Sequence, residues 1–142
     1  MVWSSARPEN VYKMCEQLFT PQQLQQLVAI WSRDMLRLGR FHHSNVQVYK
    51  NLDWIWEFRA IQATATSPYL PWTQHNTVLV DDTSAKAASQ PFNLINVDEF
   101  EKRPEQMHSD VLHQVVTYLD TLSWQDNVSA YMRAMPFQPN KR

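Results

Sequence analysis

Glycine is almost absent from this sequence, which has one glycine among 142 residues, whereas proteins on average contain about 7%. The scarcity excludes the glycine-rich loops that cradle phosphates in Walker and dinucleotide-binding motifs. Cysteine is equally scarce. The single Cys15 excludes an intrachain disulfide framework and a multi-cysteine zinc site. Its place on an apolar helical face predicts a buried packing role.

An excess of charge and a long apolar run are also lacking. The 13 Lys and Arg residues nearly balance the 14 Asp and Glu residues, so no basic surface indicates a nucleic-acid partner. No apolar run approaches the roughly 20 residues of a membrane span, and the N-terminus has no basic segment followed by an apolar one. With 44% hydrophobic residues, the chain fits one ordinary globular domain or a piece of one.

The stretch 76–93 is the part of the sequence with the clearest functional pattern. Residues 77–80 form a β-branched apolar run that predicts a strand covered on both faces of a parallel sheet. Asp81 and Asp82 follow at its carboxyl end, where open α/β sheets bind their ligands, so they predict a metal or phosphate site. Alternatively, Asp82 or Thr83 only caps a helix that begins at Ser84.

The remaining pattern predicts alternating strands and helices. We expect strands at residues 2–3, 27–31 and 94–97, a short strand edge or an extended segment at 46–49, and helices beginning at Pro8, Thr20, Asp53, Asp110 and near Trp124. Thr20 with Gln23 forms a capping box. Residues 60–75 predict a long surface loop that lines a substrate groove, and residues 98–107 a charged connector.

Three pieces of sequence, in order, carry a family resemblance: WSSARPENV at 3–11, VYKNL at 48–52 and NTVLVDDTSAKAASQPFNLI at 76–95. Together with LDTLSWQDNVSAYM at 119–132 they resemble the NLI-interacting-factor-like family, the phosphatases of the RNA polymerase II C-terminal domain type, and its fungal members in particular. The resemblance implies an α/β fold with the Rossmann-like parallel sheet of the haloacid dehalogenase superfamily. It implies a phosphatase-like domain over residues 1–135, followed by a polar tail at 136–142.

The resemblance also implies roles for particular residues. Ser4 matches the strand-end hydroxyl that hydrogen-bonds a phosphoryl oxygen, and its neighbour Ser5 is the alternative phosphate-binding residue. Lys50 matches the lysine that balances charge on the phosphoryl group and its nucleophile. Asp81 matches the acid that helps to hold Mg²⁺, and Asp82 the adjacent catalytic acid or amide. The implied substrate is a phosphoserine or phosphothreonine protein or peptide.

One departure from the family pattern is severe, because no D-x-D occurs in these 142 residues. In the family, the D-x-D-x-T/V motif supplies the aspartate that becomes the aspartyl-phosphate, on a strand in the middle of the sheet. The expected sheet is therefore incomplete, and a missing N-terminal segment or another chain is needed to complete it. We predict that the chain alone is poorly soluble, binds Mg²⁺ weakly or not at all and has no phosphatase activity.

Two other functions remain open at this point. The resemblance extends to a non-catalytic binding module, the presequence receptor of the mitochondrial inner-membrane import translocase. The chain is alternatively an inactive remnant or a truncated gene model. The compartment follows from that choice: nuclear or cytoplasmic for a phosphatase, and the mitochondrial inner membrane for a translocase-like receptor.

Overall fold

A computed structural model describes residues 1–140 as a mixed α/β chain. The strands are β1 (Val2–Trp3), β2 (Ile30–Trp31), β3 (Leu79–Asp81) and β4 (Leu94–Asn96). The α-helices are α1 (Pro8–Leu18), α2 (Pro21–Gln26), α3 (Asp53–Trp56), α4 (Arg59–Gln62), α5 (Pro104–Met107), α6 (Val111–Leu122) and α7 (Val128–Ala134). Four short 3₁₀ helices cover Arg33–Leu36, Gly39–Phe41, Ser84–Ala87 and Pro91–Asn93.

The strands form two small parallel sheets. β1 pairs with β2, with Trp3 opposite Trp31, and β3 pairs with β4, with Asp81 opposite Asn96. Within residues 1–140, no strand joins the two pairs. The predicted parallel α/β architecture is confirmed at this level, and it is consistent with a haloacid dehalogenase-like phosphatase fold.

Local sequence explains the first two helices, which connect β1 to β2. Pro8 occupies the first turn of α1 and Glu9 lies beside its positive end, both of which favour helix initiation. Cys15 is buried on the inner face of α1, as its spacing predicts. The capping box of Thr20 and Gln23 is present at the start of α2.

An aromatic core joins β1, β2 and the short helices α3 and α4. The Trp3 and Trp31 rings meet edge to face at 5.1 Å between centroids, and Trp54 and Phe58 pack on the same pair. Leu79 of β3 packs against this core. The two sheets therefore lie close together although no strand pairing links them.

A second core covers the other side of β3 and β4. Ile95 is fully buried among apolar side chains of α6 and α7, with Val115, Leu122 and Met132 among them. The amphipathic helix predicted from residues 110–122 is confirmed as α6. Phe137, in the expected polar tail, packs on this core, and residues 141–142 of that tail lie outside the described residues.

Several sequence-based predictions were wrong in detail. The central strand begins at Leu79 rather than at 77, and it is not covered on both faces, since Val80 is 41% exposed. Of the two forms predicted for residues 46–49, the strand edge is not formed, since no strand includes these residues. The expected loop 60–75 starts with helix α4. No helix among residues 1–140 has the length and apolar character needed to span a membrane.

Candidate functional site

A buried ion pair lies at the carboxyl end of β3. Asp81 is the last residue of this strand and Lys50 reaches it from the segment before α3, with 2.6 Å between Lys50 Nζ and Asp81 Oδ2. The two side chains are only 4% and 8% exposed. A buried charge is retained only when it is paired and hydrogen-bonded, so each group fixes the position of the other.

A second lysine bridges the two adjacent carboxylates. Lys86 Nζ lies 3.1 Å from Asp81 Oδ1 and 3.0 Å from Asp82 Oδ1. The 3₁₀ helix Ser84–Ala87 carries it, and Thr83 at the start of that helix makes no side-chain cap. The Thr83 hydroxyl instead donates to Asp82 Oδ1 at 2.8 Å. The interpretation of Asp82 or Thr83 as a simple helix cap was therefore wrong.

Hydrogen bonds from the backbone and from Gln90 fix the positions of the two lysines relative to each other. The Lys50 N–H donates to the Lys86 carbonyl oxygen at 2.7 Å. The buried Gln90 accepts from the Leu52 N–H and donates to Asn51 Oδ1, each at 2.9 Å. The Lys50 segment is thus fastened to the turn that follows β3, which explains how a lysine distant in sequence reaches Asp81.

The pKa values follow from these contacts. The Thr83 hydroxyl and then Lys86 hydrogen-bond the Asp82 carboxylate, which lowers its pKa from 3.8 to about 2. Burial acts to lower the pKa of Lys86, but its hydrogen bonds to Asp82 and Asp81 outweigh that effect and raise the pKa above its usual value. Both groups therefore remain charged at neutral pH.

The predicted site residues line one cavity of about 1060 Å³. Ser4 and Ser5 enter it from the end of β1, where Ser4 Oγ accepts from the Ala6 N–H at 3.2 Å. Lys50, Asp81 and Asp82 form the adjoining wall. The structure therefore brings together all five residues chosen from the sequence.

A second group of lining residues was not anticipated. Side chains of the connector and of α5 and α6, including Phe100, Arg103 and Leu112, form it, whereas residues 60–75 do not reach the cavity. Residues 60–75 thus take no part in this cavity, and their role in lining a substrate groove stays a prediction. Lys86 was also missed, because residues 84–87 looked like an ordinary first helical turn. Its spacing of four residues from Asp82 was the available signal.

The cavity borders an unpaired edge of each sheet. The Val2 N–H donates to the Ala29 carbonyl oxygen just before β2 at 3.0 Å, and the Ser4 N–H to the Trp31 carbonyl oxygen of β2 at 2.9 Å. The N–H and C=O of Trp3 between them therefore point away from β2. By the same alternation, the backbone groups of Val80 point away from β4. Trp3 and Val80 both line the cavity, and the buried Trp3 indole N–H has no hydrogen-bond partner in residues 1–140.

The Mg²⁺ ion implied by the resemblance does not fit this arrangement as it stands. Each oxygen of Asp81 already accepts from an ammonium group, and Asp82 Oδ1 accepts from Lys86 and Thr83. No group of three or more His, Cys, Asp or Glu side chains that could hold a metal ion occurs in the described part of the chain. Two acids and two lysines form a unit whose charges cancel.

Comparison with known proteins identifies relatives along nearly the whole chain. The profile of NLI interacting factor-like phosphatases matches residues 1–129. An uncharacterized FCP1 homology domain-containing protein of Schizosaccharomyces pombe is 37% identical over 141 residues, which is 97% of this chain and 57% of the relative. The chain thus spans little more than half the length of that relative. No solved structure matches the chain.

Proposed function

The chain belongs to the family of NLI interacting factor-like phosphatases, and from that premise we propose that its cavity takes the phosphoryl group of a phosphoserine or phosphothreonine in a protein substrate. One observation carries the proposal. Ser4, Lys50 and Asp81 come from three separate parts of the sequence and line the same cavity. A hydroxyl at the end of β1 and an ammonium paired with the end of β3, both lining one cavity, suit the recognition of a phosphoryl group.

Ser4 and Lys50 are the proposed phosphate-binding residues. Ser4 Oγ accepts from the Ala6 N–H, which leaves the hydroxyl hydrogen available to a phosphoryl oxygen. The Lys50 ammonium has three hydrogens and donates one to Asp81, so two remain for a ligand. Ser5 lies next to Ser4 on the same wall and is the neighbouring phosphate contact.

The acidic residues have a supporting part in this proposal. Asp81 keeps the Lys50 ammonium at the cavity wall, since the two atoms lie 2.6 Å apart. Asp82 is more open, with 38% of its side chain exposed. It occupies the position where family members carry an acid or an amide, and its proposed role is catalytic. The role of Asp81 as a Mg²⁺ ligand requires a different set of contacts from those it makes here.

We further propose that the attacking carboxylate lies on a strand outside these 142 residues, supplied by another segment or another chain. The sequence contains no D-x-D, and the edges of β1 and β3 at the cavity carry backbone groups that have no strand partner among residues 1–140. Backbone polar groups in a protein interior need partners. A strand that pairs with both edges satisfies them and brings its carboxyl end to Ser4 and Lys50.

Phosphoserine binding to the chain tests the phosphoryl site. The amide NMR signals of Ser4, Ser5 and Lys50 are expected to shift on titration with phosphoserine. Lys50→Met should weaken binding about tenfold or more, because hydrogen bonds to charged groups contribute about 1.5–3 kcal/mol. The matched control is Lys13→Met, which removes the same charge from the exposed face of α1. Equal weakening by both variants would contradict the proposal.

Hydrolysis of an aryl phosphate separates binding from catalysis. The purified chain is expected to show no turnover with Mg²⁺ present, since the nucleophile is not among its residues. Turnover that Lys50→Met abolishes would place the nucleophile within the chain and refute the missing-strand proposal. Phosphoserine binding without turnover in a protein that includes the D-x-D strand would favour a binding module instead.

A further inference from the structure

Lys86 occupies a position that neither the family resemblance nor the proposed function assigns. Its single nitrogen lies within 3.1 Å of one oxygen from each of two adjacent carboxylates, Asp81 and Asp82. Carboxylate oxygens that converge on one point are the ligands preferred by divalent cations. The ammonium group therefore fills the location where two adjacent acids would otherwise meet a metal ion.

The two lysines of the site differ in how firmly they are held. The Lys50 side chain is 8% exposed, whereas that of Lys86 is 21% exposed. Lysine has a flexible four-carbon stem that allows its ammonium to move between a carboxylate and water. Lys86 therefore lies closer to solvent than Lys50, and on leaving it would give up its contacts with Asp81 and Asp82.

We propose that Lys86 is a resident cation of the Asp81–Asp82 pair, and that a divalent cation binds these carboxylates only by displacing the Lys86 ammonium into solvent. Lys86 is then a positioning residue: together with Lys50 it balances the charge of the acid pair, and it holds the two carboxylates in place until a metal ion competes for them. The inference goes beyond the proposed phosphoryl site and concerns the same two acids. It is tested without phosphate or turnover, so either proposal can fail alone.

The test measures Mn²⁺ binding by the loss of the free-ion EPR signal. Lys86→Met is expected to bind Mn²⁺ at least about tenfold more tightly than the unchanged chain, equivalent to about 1.4 kcal/mol. Lys13→Met removes the same charge away from the cavity and should leave the affinity unchanged. Adding Asp81→Asn to Lys86→Met should abolish the gain.

Several outcomes would overturn the proposal. Equal Mn²⁺ affinity in the unchanged chain and Lys86→Met, or a gain that survives Asp81→Asn, shows that Lys86 does not compete for the acids. Lys86→Gln is measured in parallel, and far-UV circular dichroism checks that each variant folds.

If neither Lys86 variant folds, the displacement of Lys86 is tested on the unchanged chain. Acetylation of Lys86 by acetic anhydride, followed by mass spectrometry, should rise when Mn²⁺ binds at constant ionic strength. If the unchanged chain binds no Mn²⁺, the result also supports the proposal that Lys86 excludes a metal ion from Asp81 and Asp82. Mn²⁺ bound through Asp81 with an unchanged acetylation rate at Lys86 refutes the proposal.

Discussion

Replacement of Lys50 by methionine is expected to destabilise the protein strongly. Met has a similar length but no charge, so Lys50→Met leaves Asp81 buried without the partner that lies 2.6 Å away. Removal of one member of a buried pair typically costs 3–5 kcal/mol. Lys86 still contacts the other oxygen of Asp81, so we expect the lower end of that range, about 3 kcal/mol.

Urea unfolding followed by circular dichroism measures this loss. With a slope of about 2 kcal/mol per molar urea, a loss of 3 kcal/mol lowers the unfolding midpoint by about 1.5 M. Lys13→Met changes the net charge equally at an exposed helical position and should alter stability by less than about 0.5 kcal/mol.

A double substitution distinguishes the cost of a lone buried charge from lost packing. Lys50→Met combined with Asp81→Leu removes both charges and should be less destabilised than Lys50→Met alone, because apolar replacement of a whole buried pair is often neutral. The reasoning is refuted if Lys50→Met unfolds within about 0.5 kcal/mol of the unchanged chain, or if the double variant is the less stable of the two.

Two further predictions concern acid stability and packing. Because the pKa of Asp82 is lowered from 3.8 to about 2, its stabilising contribution is complete above about pH 4 and disappears as the pH falls toward 2. Asp82→Asn should remove that part of the dependence in acid titrations of stability, and an unchanged profile would contradict the assigned contacts. Ile95→Ala should cost about 2–5 kcal/mol in urea unfolding because Ile95 is fully buried. Val80→Ala at the open edge should cost much less, and similar losses at both positions would show that the edge is covered in solution.

The sequence allowed good prediction of elements whose signals are local. Thr20 and Gln23 cap a helix through neighbouring atoms, and the apolar spacing of α6 is visible in any window of a dozen residues. Asp81 was recognised because a short β-branched run precedes it. The cavity residues Ser4 and Lys50 depended on the family resemblance, since nothing local to either predicts that they meet.

The features that were missed depend on contacts between distant segments. The spacing of Lys86 from Asp82 indicates one ion pair, but its bridge to Asp81 depends on how the turn after β3 folds. Val80 looked like a buried residue because β-branched composition cannot reveal whether a neighbouring strand is present. The connector at 98–107 looked merely charged, and only the fold brings Phe100 and Arg103 to the cavity.

The hydrogen bond from the Lys50 N–H to the Lys86 carbonyl oxygen joins the two ends of the intervening segment, which is therefore an excursion of the chain that begins and ends at one junction. Residues 51–85 leave this junction, form α3, α4, the turns that follow and β3, and then return to it. Insertions or deletions near the highly exposed Tyr69, far along this excursion from the junction, would therefore leave the geometry of both lysines intact. The freedom applies to the exposed end of the excursion only, because α3, α4 and Leu79 belong to the aromatic core.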